Sequence, residues 1–412
     1  MTPDPDPSTG TTTSPDPWPA ARPEVEALQA YSAPLEGRRG LLRLDFNENT
    51  VGPSPQVVAA IRAIPADHYA IYPEYDGLRE AVLRNLDPAG RSGLQPAQVG
   101  LFNGVDAALH AVFHAYGSPG ERLLTTSPTF GYYGPCARMQ GMAIEAIPYR
   151  LPDFAFPLEA MHAALASGPP PRLLLLCNPN NPTGTRLAPE NVLALAAAAP
   201  GTLVVVDELY EAFTGDSVLP PLLAAAAGGD PFAAHPNLLV LRSLSKTAGI
   251  AGLRIGFAIG AAGLVDRVGR VTGPYDINSF AVTAAFAALN DQAYVDGYVA
   301  EVLAARDWLL ERLQAAGVRH HAAGGNYLLL WPRQAPAVVE DRLRQQEQIL
   351  VRSMAGKPLI DGSLRVSLGT TAQMQRFWQA WCRVEGLDVS AAAAPPAPRA
   401  GDPPATATPP DA

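Results

Sequence analysis

The chain of 412 residues has room for two ordinary domains, and its 48% hydrophobic content allows a large buried core. A net charge of −9 with only 17% charged residues argues against a nucleic-acid-binding surface, and no run reaches the ~20 apolar residues of a membrane helix. Cys136, Cys177 and Cys382 are odd in number, far apart and without a CxxC pair, which speaks against a disulfide framework or a metal site and for reduced thiols in a cytoplasmic protein.

In chain order, residues 1–25 form a Pro-rich tail, expected to be disordered, with no secretory signal. An N-terminal arm, 26–45, leads into a large domain at 46–275. There, strand candidates Leu41–Phe46, Val99–Phe102, Arg122–Thr126, Ala143–Pro148, Arg172–Cys177, Leu203–Val206, Leu238–Arg242 and Ile255–Gly260 alternate with helix candidates. The helices are Pro55–Ala63, Gly77–Leu86, Asp106–Tyr116, Leu158–Ala166 and Pro189–Ala198. Continuous Leu/Val runs suit strands buried on both faces, so the alternation predicts an α/β fold with a mostly parallel sheet. A smaller α+β domain at 276–386 follows. It holds a long helical region, Ser279–Ala316, strands at Asn326–Trp331, Ile349–Arg352 and Ser363–Leu368, and a closing helix at Ala372–Glu385. Residues 387–412 are a second disordered Pro/Ala-rich tail.

Ligands of an open α/β sheet bind outside the C-terminal strand ends. The unusual residues of this chain fall there: Asn103 to Asp106 after one strand, Asn178 to Gly184 after another, Asp207 to Tyr210 after a third, and Ser243 to Lys246 after a fourth. Of 30 basic residues only Lys246 and Lys357 are lysine. Arginine cannot shed its proton to become a nucleophilic amine, whereas lysine can. Asp207 ends an apolar strand, where a carboxylate needs a cationic partner; its plainer reading is a helix cap. Gly104, Val105 and Asp106 open a helix whose N–H groups would face an anion, with Ser243, Ser245 and Arg254 beside the lysine; a simple tight turn is the plainer reading of Gly104. An amine, a buried carboxylate, phenolic-oxygen donors, an anion seat and an aromatic face are what a pyridoxal phosphate site requires.

Four blocks in order over residues 30–385 carry a family resemblance: Leu44-Asp45-Phe46-Asn47-Glu48-Asn49, Asn178 to Gly184 (NPNNPTG), Arg242 to Lys246 with Ala251 to Gly256, and Leu364 to Thr370. They resemble the fold-type I pyridoxal-phosphate aminotransferases, most of all the histidinol-phosphate branch. The resemblance implies a three-layer α/β/α large domain and an internal aldimine on Lys246, which also shuttles the substrate proton. It implies that Asp207 pairs with the pyridine nitrogen, that Asn181 and Tyr210 hold the phenolic oxygen, and that Phe130 stacks on the ring. Gly104, Val105, Asp106, Ser243, Ser245 and Arg254 would take the cofactor phosphate, with Tyr72 reaching the site of a second subunit in a homodimer. Arg365, Arg352 and Tyr31 would meet the substrate. The implied reaction moves an amino group from histidinol phosphate to 2-oxoglutarate in histidine biosynthesis. Its rivals are an aromatic amino-acid aminotransferase and a decarboxylase of threonine-phosphate type. A regulator would need a DNA-binding module, for which residues 1–30 are too short. The chain departs from the branch at Ala107, at Phe130 for a frequent Tyr, at Glu74, and in Ser353 to Lys357, which lacks an acidic residue.

Other signals are discounted. His110 and His114 have a metal-like spacing without the glutamate of the metalloprotease pattern, His320-His321 suits a surface turn, and Asp341–Arg344 a solvated helix face. Ser243 to Lys246 also fits the SxxK acyl-enzyme pattern, but the partner motifs are missing.

Overall fold

The computed structural model describes residues 18–29 and 36–388. Tyr31 and residues 1–17 and 389–412 of the two tails lie outside the described residues, so the expectations placed on them are not addressed; the described part of the first tail, expected to be disordered, holds a helical turn at Pro23–Glu26 and an Arg22 bond to the Met139 carbonyl. Thirteen strands occur among the described residues: β1 Leu42–Arg43, β2 Val99–Phe102, β3 Arg122–Ser127, β4 Ala143–Pro148, β5 Leu173–Cys177, β6 Leu203–Asp207, β7 Leu238–Ser243, β8 Gly256–Gly260, β9 His320–His321, β10 Tyr327–Leu330, β11 Ile349–Leu350, β12 Arg352–Ser353 and β13 Leu364–Ser367.

A seven-stranded sheet has the order β2-β8-β7-β6-β5-β3-β4. The pairs from β7 through β6, β5 and β3 to β4 are parallel, and β8 alone runs against its neighbours β2 and β7. The fold is therefore α/β with a mostly parallel sheet. Strand alternation sends successive side chains to opposite faces. Leu174, Leu176, Val204, Val206, Leu238 and Val240 join one core layer with the helix Ser279–Leu289. Leu173, Leu175, Leu203, Val205, Leu239 and Leu241 join the other, against the helix Val105–Tyr116. Each such burial contributes about 1.5–3 kcal/mol, which explains why β5 and β6 read as unbroken apolar runs. β4 lies at the sheet edge, largely exposed, and ends at Pro148, which cannot extend the ladder.

A four-stranded antiparallel sheet, β12-β13-β10-β9, forms the second unit, with its own core around Trp381, Phe377 and Tyr327. The short parallel pair of β1 and β11 ties the N-terminal segment to it.

Several expectations need correction. Leu41–Phe46 pairs only over Leu42–Arg43, because the chain turns at Asn47, which has a φ of 54°. Ser279–Ala316 is two helices, Ser279–Leu289 and Gln292–Ala315, interrupted at Asn290-Asp291. Ile349–Arg352 divides between two sheets, at β11 and β12. His320-His321 is no surface turn: it is strand β9, half-buried and paired with Leu329 and Leu330. The helices Tyr133–Met139, Leu219–Ala226 and Ala262–Gly269 had no expectation attached to them.

The helix Val105–Tyr116 starts hard against β8. A Cβ on Gly256 would lie 2.7 Å from both the carbonyl carbon of Gly104 and the nitrogen of Val105, so only glycine lets this helix N-terminus reach the sheet. Overpacking of this kind costs about 1–3 kcal/mol. Gly256→Ala is expected to lower the unfolding free energy by about that amount in urea titration; unchanged stability would show that the helix start is free to move.

Candidate functional site

The first strand to consider is β6. Its last residue, Asp207, shares the face of Leu203 and Val205, while Glu208 turns to the opposite side. Glu208 is wholly buried but well paired: Arg242 Nε, the Ser217 hydroxyl and the Val218 amide all donate to it. Asp207 has no such cation. The Tyr133 hydroxyl donates to its Oδ2 at 2.7 Å, and the Leu209 amide to its Oδ1 at 3.2 Å. The plainer reading of this residue as a helix cap does not hold: the bond it accepts from the Leu209 amide closes a local turn, and the next helical element, Glu211–Phe213, starts after Tyr210. Burial raises its pKa to about 6.

A cavity of about 420 Å³ opens at the C-terminal edge of the sheet, and neither Asp207 nor Gly104 is part of its lining. Its lining includes Val105, Asp106, Phe130, Asn181, Tyr210, Ser243, Ser245, Lys246, Arg254, Arg352 and Arg365. These come from both sheets, so the crevice lies between the two units. β8 runs backwards, which brings Arg254, just before its first residue, to the same edge as the ends of the parallel strands.

The Lys246 Nζ donates to the Phe46 carbonyl at 2.9 Å. Burial, reinforced by the nearby Arg365, lowers its pKa to about 8, so it gives up its proton more readily than a free lysine. Asn181 and Asn47 donate to the Tyr210 hydroxyl at 3.2 and 3.1 Å. Arg365 donates to the Asn181 Oδ1 at 2.7 Å and to the Asp45 carbonyl at 2.6 Å. One hydrogen-bonded chain thus links the NPNNPTG segment, the turn after β6, the N-terminal segment and β13.

At the other end of the cavity Arg254 meets Asp106 at 3.0 Å, while the Ser243 and Ser245 hydroxyls lie 2.8 Å apart. Gly104 has a φ of +81°, and its absent Cβ would come within 2.6 Å of the Arg254 guanidinium. The first turn of the helix Val105–Tyr116 has no side-chain cap. Its open N–H groups, the guanidinium and the two serines form a seat for an anion. Phe130 projects over the cavity and takes the edge of the Tyr133 ring at 5.4 Å and 82°.

Arg352 and Arg365 are direct cross-strand partners on β12 and β13. Like charges in that position repel, yet both line the cavity, and Lys357 joins them on the same wall. Tyr72 lies elsewhere, 71% exposed and stacked on Tyr275 at 4.1 Å. Tyr31 lies outside the described residues. Tyr133 and the Phe46 carbonyl were not anticipated as site groups. Tyr133 follows Phe130 closely in the segment Phe130-Gly131-Tyr132-Tyr133, and only its long-range bond to Asp207 distinguishes it from a core aromatic.

The discounted signals find structural uses. His110 contacts the Tyr132 hydroxyl, and no group able to hold a metal ion occurs among the described residues. Nor is any helix there long and apolar enough to cross a membrane.

An amine, the Asn181 and Tyr210 side chains, an anion seat and an aromatic face therefore meet in one cavity, and the buried Asp207 carboxylate lies outside its lining, bonded to the Tyr133 hydroxyl whose ring meets Phe130. That set fits pyridoxal phosphate, and the tight Gly104–Arg254 cradle fits its phosphate. The chain matches the family described as aminotransferase class I and II over residues 39–380. It is 34% identical over 371 residues to a histidinol-phosphate aminotransferase of Roseiflexus castenholzii, covering 85% of this chain and 94% of the relative. It is 33% identical to histidinol-phosphate aminotransferase 1 of Bradyrhizobium diazoefficiens, covering 86% and 96%. The crystal structure of histidinol-phosphate aminotransferase from Sinorhizobium meliloti, in complex with pyridoxal-5'-phosphate, superposes with a TM-score of 0.77 at 25% identity, covering 90% of this chain and 99% of that one. The chain belongs to the class I and II aminotransferases.

Proposed function

We propose that this protein is a pyridoxal-phosphate-dependent histidinol-phosphate aminotransferase that passes the amino group to a 2-oxo acid such as 2-oxoglutarate. The observation that carries the substrate reading is the facing pair Arg352 and Arg365, with Lys357 on the same cavity wall. A donor with a phosphate at its far end places a dianion among three cations. An aromatic donor would leave some of those charges without a counter-charge, which disfavours that rival. The relatives named above support the same reading.

The bound cofactor would supply an electron sink for the substrate carbon. The residues would do the rest. Lys246 would hold the aldehyde and would carry a proton to and from the substrate carbon; its lowered pKa suits that task. Asp207 holds the ring nitrogen protonated. Asn181 and Tyr210 orient the phenolic oxygen, and Phe130 covers one ring face. The Gly104–Asp106 amides, Ser243, Ser245 and Arg254 take the phosphate. Arg365 and Arg352 would hold the substrate. Of the two expected domains, 46–275 and 276–386, the first also takes in the helix Ser279–Leu289, which packs on its sheet; we place the reaction in the crevice between the two units, in the cytoplasm.

We also read the molecule as a homodimer in which Tyr72 completes the partner's site. Supporting this, Tyr69, Ile71, Tyr72 and Tyr275 form an exposed apolar patch, of a kind that marks association.

Three measurements test these readings. Without keto acid, histidinol phosphate is expected to bleach the visible band of the loaded enzyme rapidly, and phenylalanine much more slowly. Lys246→Ala should show neither the lysine-bound band nor turnover. Equal bleaching by phenylalanine would favour an aromatic aminotransferase, and carbon dioxide release without keto-acid consumption a decarboxylase. Second, Arg352→Gln and Lys357→Gln should each raise KM for histidinol phosphate, the former by about 10- to 100-fold, since a hydrogen bond to a charged group is worth ~1.5–3 kcal/mol. An unchanged KM would move the phosphate elsewhere. Third, Tyr72→Ala and Lys246→Ala chains refolded together should recover activity that neither has alone; no recovery would place Tyr72 outside the shared site.

A further inference from the structure

Tyr133 is enclosed on every side, and its hydroxyl bonds to Asp207, whose other oxygen takes a backbone amide. Both donors are neutral. Among the described residues no Arg, Lys or His forms an ion pair with Asp207. The neighbouring guanidinium, Arg242, is taken up by Glu208 and Glu211. The carboxylate is therefore fixed in place while its charge stays undiminished. A cation at the position of the Tyr133 hydroxyl would fix it equally well but cancel the attraction it exerts on a protonated ring nitrogen. The same tyrosine ring meets Phe130 edge-on, so one residue braces both the aromatic wall and the carboxylate.

We infer that Tyr133 is a positioning residue for the cofactor: its hydroxyl aims the Asp207 carboxylate and keeps it ionised without neutralising it. This rests on the cofactor reading above. The groups around Asp207 agree with the role. Cys177 and Tyr210 face it with pKa values pushed up by burial, and they stay neutral. Asp106 and Glu208 are like charges that, with burial, raise the Asp207 pKa. Tyr133 opposes them, and burial beside the carboxylate raises its own pKa, which keeps it a donor. Removing the hydroxyl should raise the Asp207 pKa. The ionised form needed for binding the protonated ring would then be lost at a higher pH as the solution is acidified.

The test is equilibrium dialysis of pyridoxal phosphate against cofactor-free wild type, Tyr133→Phe, Asp207→Asn and the double variant, from neutral to acid pH. Phenylalanine keeps the ring packing and removes only the donor. Tyr133→Phe should weaken binding about 10-fold, the scale of a hydrogen bond to a charged group, and shift the acid limb upward by about one pH unit. The double variant should bind no worse than Asp207→Asn alone. Wild-type affinity with an unmoved acid limb in Tyr133→Phe, or additive losses in the double variant, would overturn the positioning role and leave the cofactor reading standing. Failure of the wild type to bind pyridoxal phosphate would sink both.

Discussion

A carboxylate buried at the end of a parallel strand is the constraint around which the rest is arranged. Desolvation alone would drive Asp207 to take up a proton. The fold resists this with a tyrosine hydroxyl and a backbone amide, supplying no compensating cation. Strand alternation makes the arrangement possible, because it separates Asp207 from Glu208 and sends Arg242 to the second carboxylate. The two acidic neighbours thus have different fates: Glu208 is paired with a guanidinium within the core, and Asp207 is held by neutral donors alone.

The remaining site groups are placed by similarly elementary means. The parallel strands deliver their ends to one edge, and the single reversed strand β8 delivers Arg254 to the same edge. The glycines at 104 and 256 let the helix N-terminus sit against the sheet, close to that guanidinium. The second sheet contributes cations, and the bonds from Arg365 to Asn181 and to the Asp45 carbonyl span the crevice. Any change in how the two units meet is thereby felt at the residue that also orients the Tyr210 phenol.

Much of this was legible in the residue order. β2 and β4 have the expected limits; β5, β6 and β7 differ from expectation by a residue at one end, because their buried Leu and Val runs leave little choice of conformation. The site residues at strand ends were legible for the same reason: strand direction dictates which edge they share. What escaped depends on contacts distant in sequence. The helix Tyr133–Met139 begins with two tyrosines and a Gly-Pro pair, with no helical periodicity to reveal it. The break at Asn290-Asp291 interrupts an otherwise apolar helical pattern. The pairing of His320-His321 with β10 is a register fact that a dipeptide cannot announce.

The scarcity of lysine has a practical corollary. The only two side-chain amines of the chain, Lys246 and Lys357, both line the same cavity. Acylating, carbamylating or crosslinking reagents aimed at amines therefore have almost nowhere else to react on the protein surface. Apart from the α-amino terminus, an ordinary amine-labelling protocol reports on the two lysines of a single chamber, and a ligand filling that chamber is positioned to shield both.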